Sequence, residues 1–129
     1  MENKVKRITG KVILVLMLCF LMAGCSSASN ENIQFVKEGT YGIYTNTTVG
    51  KAFDNFFENP KWTSFISESD EEIVEFTGKC LYDNVKVEVL MQFTLDKSTG
   101  RFSINYLSFN DVSQNKFMVE ALIAAIFEN

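Results

Sequence analysis

Apolar and polar positions alternate along this chain with different periods, and each period predicts an element. Between residues 47 and 58, Val49, Ala52, Phe53, Phe56 and Phe57 recur at helical spacing behind Thr47 and Thr48, either of which can cap a helix running to about Glu58. Asn59 and Pro60 then stop it. Four strand signals follow. Residues 62–66 are short and aromatic, and the acidic stretch 68–72 makes a turn. In residues 73–81, Val74, Phe76, Gly78 and Cys80 take one face and Glu75, Thr77 and Lys79 the other, with Gly78 read as a bend or bulge. After a turn at 82–84, Val85, Val87, Val89, Met91, Phe93 and Leu95 face inward against Lys86, Glu88, Gln92 and Thr94, and only Leu90 breaks the outer face. Residues 96–100 read as a hairpin loop, and 102–109 return as the fourth strand. There Phe102, Ile104 and Tyr106 share one face while Leu107 and Phe109 lie on the other, so either a bulge changes the register near Tyr106 or both faces are covered. Ser113 caps a final helix over 114–127 with a stripe of Phe117, Met118, Ala121, Leu122, Ala125 and Ile126, widened by Val119 and Ile123. Residues 33–44, punctuated by Gly39 and Gly42, read as short extended pieces and a turn. The order helix, four strands, helix predicts an α+β fold: a four-stranded antiparallel meander with helices on one face and the other face open to water.

Upstream the pattern changes. A basic segment (Lys4, Lys6, Arg7, Lys11) precedes twelve uncharged residues, 12–23, with the sequence VILVLMLCFLMA. A membrane-crossing helix needs about 20 apolar residues, so this run fits the core of an export signal instead. It ends in Leu21-Met22-Ala23-Gly24-Cys25. That ending resembles the lipobox of bacterial lipoproteins, although Met22 stands where the family more often has Leu. The resemblance implies cleavage between Gly24 and Cys25 and a diacylglycerol on the Cys25 thiol, with no other cofactor. It also implies a location on the extracytoplasmic face of a bacterial membrane, held in the bilayer by acyl chains. An ordinary secretory signal cut near Ala28 is the alternative. The chain therefore divides into a signal peptide (1–24), a lipidated Cys25 with a flexible tether (25–32) and one domain (33–129). Residues 26–32, SSASNEN, give a reach of roughly 15 Å.

Charge narrows the partners. The whole chain has net charge −4, but without Glu2 and the four N-terminal basic residues it carries eight basic and fifteen acidic side chains, or −7. A domain of that sign lacks the basic footprint that nucleic acid requires. The apolar fraction of 47% and twelve Phe supply a core without disulfides, since with Cys19 discarded and Cys25 acylated only Cys80 remains.

Over residues 36–127 the chain resembles a group of small extracytoplasmic bacterial domains of unassigned activity. The matching residues are Thr48-Val49-Gly50-Lys51-Ala52-Phe53, Phe56-Phe57, Pro60-Lys61-Trp62, Phe65, Val74-Glu75-Phe76-Thr77-Gly78, Gln92-Phe93, Phe102, Leu107-Ser108-Phe109-Asn110 and Gln114. What this implies is fold and location.

The chemical inventory is thin. No His is present, which removes Ser-His and Cys-His nucleophiles and the commonest metal ligand. The cluster Glu68, Asp70, Glu71, Glu72 lacks the spacing of an EF-hand loop and, with Ser67 and Ser69, reads as a solvated turn. The expectation is a non-enzymatic, membrane-anchored binding module for a protein or envelope component, acting through the open sheet face or the loop from Tyr41 to Thr48. Its candidate contact residues are Trp62, Tyr41, Tyr44, Glu75, Lys86 and Glu88, with Tyr106 completing an aromatic platform, although Trp62, placed after Pro60 and before Phe65, reads more readily as a core residue. A small envelope hydrolase or cation-dependent enzyme using Glu75, Glu88 or the 68–72 turn is the alternative. Gly50, one residue into a helix, is costly by propensity and predicts close packing of the helix start against another backbone.

Overall fold

A computed structural model describes residues 30–129. The signal sequence, Gly24, Cys25 and most of the expected tether lie outside the described residues. Three helices and a five-stranded antiparallel sheet make an α+β fold. Helix α1 is described over 30–37. It is followed by α2 (Val49–Phe56), β1 (Glu58–Ile66), β2 (Glu72–Tyr82), β3 (Val85–Asp96), β4 (Arg101–Phe109), β5 (Val112–Ser113) and α3 (Lys116–Glu128). Strand order equals chain order, so the sheet is a meander.

The first helix corrects the expectation of extended chain after residue 32. Residues 30–32 are its first described turn, Asn32 is buried there, and Val36 has no exposed surface. Ile33 and Val36, three apart, face the sheet together. Gly39 ends the segment where a Cβ would meet the Phe102 ring at 2.6 Å, and its carbonyl accepts from the Val49 N–H. Tyr41 and Tyr44 then form a one-residue-pair bridge around Gly42, whose φ is +55°.

Thr48 caps α2 by accepting from the Lys51 N–H at 3.3 Å. The helix starts tight against α1: a Cβ on Gly50 would stand 3.0 Å from the Lys37 carbonyl oxygen, the close backbone packing expected of that glycine. The chain turns directly into β1 at Glu58, four residues before Trp62. Pro60, which cannot donate to a ladder, is accommodated because β1 is an edge strand and bulges between Glu58 and Lys61, with Asn59 at φ 52°. Gly78 lies opposite that bulge and is itself in regular register with Val89, so it introduces no bend. Its role is packing, since a Cβ there would stand 2.9 Å from the Phe57 Cβ.

Two-residue turns with both residues at positive φ close the β2–β3 hairpin at Asp83-Asn84 and the β4–β5 hairpin at Asn110-Asp111. The second turn carries the fifth strand, which the sequence reading missed. Asp96 accepts from the backbone N–H groups of Ser98 and Thr99 and from the Ser98 hydroxyl, ordering the β3–β4 loop that Gly100 closes at φ 69°. Of the two readings of β4, the bulge is what occurs. Gln92 pairs with Tyr106 and Phe93 with Ile104, so Asn105 is the extra residue, and Leu107 and Phe109 reach the core beside Met91 and Val89.

One apolar cluster lies between the sheet and the helices. Its centre is the Phe53 ring, which meets Phe57, Trp62, Phe76, Phe93 and Phe127 at centroid distances of 5.0–6.4 Å. Two expectations for α3 are corrected. Asn115, not Ser113, is its cap, accepting from Met118 N at 2.9 Å, because Ser113 belongs to β5. Its buried face is Val119, Leu122, Ile123 and Ile126; Phe117, Ala121 and Ala125 point to solvent.

Candidate functional site

All three described helices contribute to the core on one side of the sheet, so no described helix covers the side chains of the other side, although Ile73 and Ser108 are buried there. Alternation along β2 and β3 fixes which these are, and the pairing register lines them up across strands. One row is Thr63, Glu75, Gln92 and Tyr106; the next is Lys61, Thr77, Leu90 and Ser108; a third is Glu58, Lys79 and Glu88. Gln92 Nε2 donates to Glu75 Oε1 at 3.1 Å, holding both groups in a fixed orientation at the centre of the face. Lys86 reaches Glu58 at 2.9 Å across the sheet. Asn110 ties the end of β4 to β3, accepting from the Glu88 N–H at 2.8 Å while its own N–H donates to the Glu88 carbonyl. Asn105, ejected by the bulge, donates through its amide to the Thr94 hydroxyl. The face is polar but not wholly wet: Ile73 is buried on it, next to the exposed Phe65.

A depression of about 490 Å³ sits at the corner of this face, where the β1 bulge lifts Asn59 and Pro60 away from Thr77 and Gly78. Lys61, Lys79 and Glu88 line it. A groove of about 520 Å³ runs on the helix side between β4 and the start of α3, and a smaller one of about 200 Å³ lies between α2 and the end of α3. The first holds one carboxylate, Glu88; the second one, Glu120; the third none. None of the three offers the paired carboxylates that acid and base hydrolysis of a glycoside requires.

The sequence-predicted contact residues divide between the two sides of the sheet. Glu75, Lys86 and Glu88 share the open face. Trp62 does not: it is half-buried on the helix side, packed on Phe53 and Phe76, with Nε1 donating to Asp54 at 3.3 Å and the Lys37 ammonium 5.8 Å above its ring. Tyr41 leans on Phe102, and burial followed by the Glu120 charge pushes its hydroxyl pKa up. Tyr44 stacks on Phe127 at 5.0 Å and donates to Glu128; partial burial and that bond raise its pKa too. Tyr106 is on the open face, so the four aromatics do not form one platform. Sequence alternation could not separate them, because Tyr106 changes face at a bulge that only pairing locates.

The 68–72 turn closes on itself: Ser67 N donates to the Glu71 carbonyl at 2.9 Å, Glu71 N to Ser67 Oγ at 3.1 Å, and Ser69 Oγ to the Glu71 carboxylate at 3.0 Å. Among the described residues no group of three or more His, Cys, Asp or Glu could hold a metal ion. Cys80 is half-buried, and desolvation raises its pKa, the opposite of what a reactive thiol needs. No described helix is long and apolar enough to cross a membrane. No protein-family model, no curated protein and no solved structure matches the chain.

Proposed function

We propose that this chain is a bacterial lipoprotein, anchored through acylated Cys25, whose domain binds a protein or envelope component on the open face of its sheet. The observation that carries the binding reading is the location of all three helices on one side. That arrangement leaves a broad polar surface with the Glu75–Gln92 pair at its centre and both charges of Lys79 and Glu88 beside it. The anchoring reading rests on the twelve-residue apolar run ending in Ala23-Gly24-Cys25. Two acyl chains supply the stable attachment that one cannot, at about 0.8 kcal/mol per buried CH₂.

Metabolic labelling with a fatty acid tests the anchor: label is expected on the wild type and absent from Cys25→Ser, which leaves the membrane fraction. In-cell photo-crosslinking from position 92 tests the surface. A discrete adduct that disappears with Glu75→Lys or Glu88→Lys is expected; an adduct insensitive to both, or formed equally from exposed Phe117 on the helix side, refutes it.

A further inference from the structure

We propose that the free edge of β4 pairs with the same edge of a second copy of this chain, joining two five-stranded sheets across a two-fold axis. β5 covers only Ser108 and Phe109, so among the described residues no strand lies outboard of β4 from Arg101 to Tyr106. An uncovered edge of this kind is a template for another strand. Antiparallel partners place facing residues on the same side of the sheet, so the axis must pass through a residue rather than between two. Set on Ser103, it brings Phe102 of each copy opposite Ile104 of the other, two apolar cross-strand pairs on the helix side, before the bulge at Asn105 ends the regular stretch.

Charge favours this segment. The described residues include fifteen acidic and eight basic side chains, yet β4 holds a single charged residue, Arg101, and no carboxylate. Two acidic molecules can therefore meet here without opposing carboxylates. Room is also available, because the groove of about 520 Å³ separates β4 from α3 along residues 103–107. The other sheet edge is defended at its start by Pro60 and the Glu58–Lys61 bulge, and the four carboxylates of residues 68–72 follow its end. Because the two-fold uses the same edge of both copies, the association closes at a dimer instead of growing into a fibre.

Sedimentation of the full chain in nonionic detergent is the test. A dimer with a dissociation constant below about 100 µM is expected. Ser103→Lys, which sets two ammonium groups against each other at the axis, should weaken it by at least about tenfold, and an equimolar mixture of Ser103→Lys with Ser103→Glu should restore it. Should Ser103→Lys fail to fold by circular dichroism, Ser103→Cys decides: mild oxidation should link two copies through position 103, and the wild type, with the same native cysteines, should not link. A monomer at that concentration, absence of the position-103 cross-link, or a dimer dissolved by Thr63→Lys on β1 but not by Ser103→Lys overturns the proposal.

Discussion

Gly78 and Asp96 show how much a single side chain decides in a domain this small. Gly78 is regular in its pairing yet has no space for a methyl group between Phe57 and the Phe76 ring. Gly78→Ala is expected to cost about 1–3 kcal/mol by overpacking, read as a lower denaturant midpoint at unchanged slope. Asp96 is exposed, and its hydrogen bonds from Ser98 and Thr99 hold its pKa below the usual carboxylate value. A folded-state pKa below the unfolded one adds stability above the unfolded value, about 3.9, and that stability is lost as pH falls through the folded value. Wild type should therefore be more stable than Asp96→Ala at neutral pH. The gap should narrow steadily as pH falls below about 4, measured by urea unfolding across pH.

At the scale of elements, α3 is the informative case. Its sequence is apolar around most of its circumference, so periodicity alone assigned Phe117, Ala121 and Ala125 to the core together with Leu122 and Ile126. Packing chose Val119, Leu122, Ile123 and Ile126, because the helix enters from β5 with its Asn115 cap fixed and can present only one side to the sheet. Two substitutions separate these faces. Ile123→Ala should cost about 2–5 kcal/mol, and Phe117→Ser, at a residue 79% exposed, should stay within about 0.5 kcal/mol. Equal losses at both sites would show that the helix is rotated. α1 went unread for a related reason. Two glycines follow close behind it and weaken its helical signal, and contacts of Val36, Ile33 and Phe35 with the sheet cluster hold it there.

For the molecule as a whole, the Phe53 ring ties α2, β1, β2, β3 and α3 into one core. No second cluster is available to unfold separately among the elements it joins. Trp62 fluorescence and far-ultraviolet dichroism should accordingly report one coincident transition. Phe53→Ala should lower both together by about 3–5 kcal/mol, a large part of the roughly 5–15 kcal/mol typical of a folded domain. Two separated transitions would contradict a single core.

What the chain specified locally was already visible in the order of its residues. The alternation in β2 and β3, the turn at Asp83-Asn84 and a threonine cap at 47 or 48 depend on neighbours a few positions apart, so composition and period expose them. The open sheet face followed from the same alternation, which is why Glu75, Lys86 and Glu88 were identified as sharing it. Trp62, Tyr41 and Tyr44 were placed on the helix side by tertiary contacts with Phe53, Phe102 and Phe127, residues 9 to 83 positions away along the chain. The face taken by Tyr106, the register across the Asn105 bulge and the uncovered edge of β4 were decided in the same way. Each depends on which strand lies alongside and on which side chains fill the shared core, quantities that no local period encodes.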